Sequence, residues 1–173
     1  MFNISLLSKA NPEQGGASRV AADLGQLLSS RGHAIKHYVN CWAEKRPEHV
    51  SLLHAAPGLT YWNAELAKLS RLIGIPDFLS LELPIFLFRN RPPSDLLHIH
   101  DIPTAFSLLS IGFLAQRMPV VWIFHDCSPF TGGCIYPLAC TAYRQRCHEC
   151  PRFSETLFIQ RHIEFYHQVI AEF

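Results

Sequence analysis

Four short groups of residues carry side chains suited to chemistry. His125 and Asp126 stand directly after the apolar run Trp122-Ile123-Phe124. A histidine titrates near neutral pH, so here it can exchange a proton or donate a hydrogen bond to a sugar hydroxyl or a phosphate, while the aspartate orients a hydroxyl. The plainer role is a strand-end histidine satisfied by a nearby carbonyl. His100 and Asp101 close a second apolar run, LLHIH at 96–100, and as a strand it would carry His98 and His100 on one face. Two such imidazoles suit a metal, but no third ligand stands near them in sequence. Polar strand ends that shape a cleft without chemistry are the plainer reading.

The third group is Gly15-Gly16-Ala17-Ser18-Arg19. Glycines let a backbone approach a ligand closely, and a helix N-terminus offers free N–H groups and positive dipole to a phosphate or diphosphate. The spacing is neither Gly-x-Gly-x-x-Gly nor a Walker loop, and for this motif alone a tight turn into a helix is the favoured reading. The fourth is Cys134-x5-Cys140-x6-Cys147-x2-Cys150. These thiols suit a tetrahedral structural zinc stapling a loop with little apolar content of its own, and they also admit two disulfides or packed free thiols. Cys41 and Cys127 stand apart and read as buried apolar thiols.

The elements that must position these groups follow from periodicity. Residues 2–8 read as a strand and residues 11–16 as a loop. Val20, Leu24, Leu27 and Leu28 form a helical apolar stripe, with Ser18 as N-cap and Gly32 as the C′ residue. Residues 34–41 read as a second strand. This β-loop-α-β unit is the building block of a parallel sheet, so the expected class is α/β. Trp62, Leu66, Leu69 and Ile73 mark a helix ended by Gly74 and Pro76. Residues 42–61 show little periodicity, and 77–93 are apolar but interrupted by prolines. Residues 96–100 read as a buried strand, and a helix spans about 104–117 with Phe106, Leu109 and Phe113 on one side. Residues 119–124 read as a strand apolar on both faces, as a sandwiched parallel strand should be. A cysteine-rich loop occupies 126–151. A last helix opens at Ser154, with Ile159, Ile163, Tyr166, Ile170 and Phe173 as its stripe.

Composition bounds the remaining possibilities. The 173 residues suit one sizeable core, and 49% of them are apolar, which argues against disorder. Fifteen basic against fourteen acidic residues leave a net charge of +1, so there is no electrostatic case for nucleic acid as a partner. No apolar run is long enough to span a bilayer, and residues 1–4 lack the features of a signal peptide. The expected location is cytoplasmic. The apolar segment 78–91, with Arg89 and Arg91, admits peripheral contact with the inner membrane, but a buried segment followed by a polar linker is the favoured reading.

Taken together, GGASRVAADLGQLLSSRGH, LLHIHD, PVVWIFHD and above all SPFTGGCIYPLACTAYRQRCHECP resemble the N-terminal domain of bacterial GT-B glycosyltransferases. More narrowly, they are similar to family-four-like transferases of exopolysaccharide and lipopolysaccharide assembly, including those of colanic acid. The resemblance implies a Rossmann-like parallel sheet flanked by helices, forming the acceptor-side half of a two-domain enzyme. Its partners would be a nucleotide-sugar donor and a glycan or lipid-linked acceptor. On this reading His125 and Asp126 are the catalytic candidates. Gly15, Gly16, Ser18, Arg19, His100 and Asp101 are the substrate-binding candidates. Transfer is expected to retain anomeric configuration without a catalytic cofactor, so zinc on Cys134, Cys140, Cys147 and Cys150 would be structural. Residues 1–173 are expected to form a single, incomplete domain that needs a donor domain, from a companion chain or by other means, before it transfers sugar. Self-association through the stripe of the last helix, a noncatalytic zinc-stapled binding module, and a remnant of a truncated gene are the competing expectations.

Overall fold

The computed structural model describes residues 1–9, 12–40, 47–53, 57–72, 81–90, 93–100, 107–131 and 134–145. Strands β1 (Asn3–Ser8), β2 (Ala34–Val39), β3 (Val50–Leu52), β4 (Leu96–Ile99) and β5 (Val120–Trp122) form one sheet in the order β3-β2-β1-β4-β5. Every pairing is parallel. Helices α1 (Gly16–Ser30), α2 (Pro57–Leu72), α3 (Glu82–Arg89), α4 (Leu108–Ala115) and the single turn α5 (Ser128–Thr131) lie between or after the strands. The fold is therefore Rossmann-like α/β. The strand order runs outward from β1 to β3 and resumes on the other side of β1 with β4. The crevice at such a reversal, outside the carboxyl ends of the strands, is where ligands bind in open α/β sheets.

Register decides which side chains share a face. Leu6 of β1 lies opposite both His37 of β2 and His98 of β4, so these three residues face the same way, together with Ser8 and His100 two positions further on. The opposite face carries Leu7, Tyr38, Leu97 and Ile99. They form the core with Leu53, with Phe86 of α3, and with Ile111 and Leu114 of α4. Tyr38 and Phe86 meet edge to face at 5.0 Å.

Helix α1 covers the Leu6 face, and it does so differently from the expected stripe. Its buried residues are Ser18, Ala21 and Gly25, whereas Val20 and Leu27 are exposed. A Cβ on Gly25 would lie 2.8 Å from Leu6 Cδ1, so this small-residue face sets how closely helix and sheet approach. The helix C-terminus is as expected. Gly32 has φ +87, its N–H bonds to Ser29 O at 2.9 Å, and His33 N–H bonds to Leu28 O at 3.1 Å. These two bonds satisfy carbonyls that would otherwise be orphaned at the helix end.

Other expectations shift by an element face or a boundary. Helix α4 is N-capped by Ser107, whose hydroxyl accepts from Ser110 N–H at 3.1 Å. It buries Leu108, Ile111 and Leu114, while Leu109, expected inside, is exposed. Trp62 and Leu69 of the expected α2 stripe are also exposed. Strand β5 is not sandwiched: it lies at an edge of the described sheet, with Val121 and Phe124 exposed. Strand β3 and helix α3 arise in stretches without clear periodicity. Pro84 fits because it lies in the first turn of α3, where no intrahelical N–H bond is lost. Cys41, Phe106 and the last helix expected from Ser154 lie outside the described residues.

Candidate functional site

The carboxyl edge of the sheet carries Gly15 and Gly16 beyond β1, His100 beyond β4 and His125 beyond β5. The end of β1 is the hub. Its Leu7 carbonyl accepts from His100 N–H at 2.9 Å, and Ser8 Oγ lies 2.7 Å from His37 Nε2. Beyond β1 the chain passes through a 3-10 turn, Pro12–Gln14, and enters α1.

Gly15 is the N-cap of α1 and Gly16 its first residue; both are exposed. The φ of Gly15, 162°, is extended backbone open to any residue, so conformation does not demand glycine there. Packing does not demand it either: a Cβ on Gly15 or Gly16 would meet nothing within 4 Å, so the space over both residues is open. The first turn contains no acidic residue and no side-chain cap. The positive end of the helix dipole therefore meets no acidic side chain of its own first turn and no capping side chain. Ser18, expected as the N-cap, is instead buried within the first turn, and Arg19 is exposed. The Arg19 amide closes the helix onto Gly15 O at 3.0 Å.

Histidines line the sheet face next to this helix. His100, 1% exposed, follows β4, and its Nδ1 lies 3.1 Å from Nε2 of His125, which follows β5. The two rings stack with centroids 5.4 Å apart. His98 lies behind, its ring centroid 4.6 Å from that of His100. Burial drives all three interior imidazoles toward the neutral form. His100 is pushed down to about 3 by burial and then by His98, His125 and His37. His37 is lowered to about 4 by burial and by His49, and His98 is lowered by burial. His125 itself is exposed. The structure therefore pairs a buried, neutral imidazole with a solvent-facing one beyond the carboxyl ends of β4 and β5. Asp126 is half-buried, and Asp101 lies outside the described residues.

The sequence grouped His98 with His100 but did not reveal His37. Only the register of β2 against β1, with α1 packed above, buries that ring. These imidazoles form a stack, and among the described residues no group of three His, Cys, Asp or Glu side chains is arranged to hold a metal.

The described part of the cysteine-rich loop is organised by Thr131. Its hydroxyl lies 2.9 and 2.8 Å from the carbonyls of Cys127 and Cys134 and accepts from Cys134 N–H at 2.9 Å. Cys127, Cys134 and Cys140 are half-buried free thiols. Cys147 and Cys150 lie outside the described residues. Among the described residues no helix is long and apolar enough to cross a membrane. No curated protein and no solved structure matches the chain. Among protein families, Glycosyltransferase Family 4 matches residues 14–171.

Proposed function

Because the chain belongs to glycosyltransferase family 4, we propose that its crevice takes the diphosphate of a nucleotide-sugar donor at the N-terminus of α1 and the transferred sugar beside His125. The observation that carries this reading is convergence at one sheet edge. The uncapped start of α1, with open space over Gly15 and Gly16, follows the same β1 end that His100 and its partner His125 adjoin. In this arrangement helix N–H groups meet phosphate oxygens, Arg19 adds a mobile positive charge, and His125 donates to a sugar or phosphate oxygen.

Magnitudes favour a shared site. An exposed helix N-terminus contributes about 0.3–1 kcal/mol to holding an anion. A micromolar complex needs about 8 kcal/mol. A donor domain must therefore supply most of the binding energy and the water exclusion that transfer requires. The 173 residues by themselves bind diphosphate weakly and do not transfer sugar. The acceptor is a glycan or lipid-linked sugar of cell-surface polysaccharide synthesis, met in the cytoplasm or at the inner membrane. This choice rests on the resemblance of residues 128–151 described from the sequence. On this reading transfer would retain anomeric configuration without a catalytic metal, and Cys134, Cys140, Cys147 and Cys150 would hold any zinc, as a structural staple of the loop.

Titration of the isotope-labelled chain with inorganic pyrophosphate tests the first step. The amides of Gly15 and Gly16 should shift with millimolar affinity that weakens as salt rises. Mixing with a donor domain of the family and its nucleotide sugar should then give transfer that His125→Ala abolishes. Unshifted amides in a folded chain, or full transfer by the 173 residues unaided, would overturn the proposal.

A further inference from the structure

His100 was expected to bind substrate, yet it is almost wholly buried and its one described side-chain hydrogen bond is to His125. We propose that His100 is a positioning residue: its Nδ1–H donates to Nε2 of His125 and so fixes His125 as the Nδ1–H tautomer. The tautomer stands on the geometry alone, and its use in sugar transfer rests on the function proposed above.

Only one proton fits between two nitrogens 3.1 Å apart. A neutral imidazole carries one donor nitrogen and one acceptor nitrogen. If His125 Nε2–H were the donor, Nδ1 of His100 would accept and the proton of His100 would sit on its Nε2. That Nε2 is buried and has no partner among the described residues. A buried N–H without an acceptor is rarer and more costly than a buried lone pair without a donor. The favoured state therefore places the His100 proton on Nδ1, where it is bonded, and leaves a bare lone pair on Nε2.

The neighbours agree with this choice. Among the described residues, the titratable groups that act on His100 are His98, His125 and His37, all imidazoles, and burial disfavours its charged form. Nε2 of His98 is likewise buried without a described partner, so it offers His100 no bond. The consequence reaches the crevice. With Nε2 occupied by the proton from His100, neutral His125 carries its own proton on Nδ1. It then meets a ligand as a hydrogen-bond donor and cannot accept a proton at that nitrogen. His125 is accordingly a fixed donor to an oxygen of the substrate, not a general base.

The test is a long-range proton–nitrogen correlation spectrum of the histidine rings in the labelled chain at mildly alkaline pH, with His125→Gln identifying the His125 signals. His125 should show the Nδ1–H pattern. In His100→Asn the side-chain amide nitrogen lies where Nδ1 was, so the pattern should persist. In His100→Gln and His100→Leu that donor is lost, and His125 should revert to a mixture dominated by Nε2–H. Amide spectra and melting curves confirm that each variant is folded. If the leucine variant does not fold, the Asn and Gln pair decides the matter. An Nε2–H pattern in the unmodified chain, or an unchanged His125 in folded His100→Gln, overturns the inference. Pyrophosphate shifts at Gly15 and Gly16 are read separately, so failure of the tautomer and failure of the donor-binding reading give different results.

Discussion

An imidazole can be buried at modest cost only while it is neutral, and that condition governs the residues of this crevice. His37, His98 and His100 all bind their proton less readily in the folded chain than in the unfolded one. Below the ordinary histidine range the unfolded state therefore takes up protons that the folded state refuses. Stability is at its full value above about pH 6.5 and falls as pH drops toward about 4. Each such histidine steepens the fall by at most about 1.4 kcal/mol per pH unit. His37→Gln should keep the bond to Ser8, because the glutamine amide reaches the place of Nε2, and should remove one titrating group. Melting temperatures measured between pH 4 and 8 should then show a flatter profile than the unmodified chain. An unchanged profile would mean that His37 does not titrate as described. Alternation along a strand is enough to put His98 and His100 on one face. It could not pair His100 with His125, because that contact joins two strands that meet only in the sheet.

The elements show where periodicity is a good guide and where it is not. The C-terminus of α1 was legible because a glycine after a helix reports a local backbone requirement. Gly32 meets that requirement at φ +87, with open space where a Cβ would stand. Gly32→Ala should therefore cost about 1–2 kcal/mol through left-handed backbone alone, read as a lower denaturant midpoint with an unchanged slope. The buried face of α1 was not legible. Large apolar residues drew attention to Val20 and Leu27, yet the sheet below presents Leu6 and Ile35, which leave room only for small residues. Gly25→Leu should overpack that contact and cost about 1–3 kcal/mol, whereas Val20→Ala, at an exposed position, should change stability by less than about 0.5 kcal/mol. Equal effects of the two substitutions would place the buried face elsewhere. Strand β3 escaped notice because three residues are too few to display a period of two.

At the scale of the molecule, the strand order puts the start of α1 and the ends of β4 and β5 at the same carboxyl edge of the sheet, with the reversal lying between β1 and β4. The proposed zinc staple belongs to this scale, since it would tie the loop after β5 to itself. Purified protein should then carry about one zinc per chain, and a chelator should lower its melting temperature. Reduced, metal-free protein that melts at the same temperature would remove the staple while leaving the crevice as described. The sequence by itself determined the parallel α/β class, the positions of β1, β2, β4 and β5 to within a few residues, and the placement of His100 and His125 at strand ends. Each of these follows from alternation, glycine chemistry or chain connectivity acting over a few neighbouring residues. Only the tertiary structure decided the order β3-β2-β1-β4-β5, the small-residue face of α1, the burial of His37 and the bond between His100 and His125. Those depend on which distant segments come to lie side by side, and hydrophobic periodicity reports the apolar side of an element without naming the neighbour that covers it.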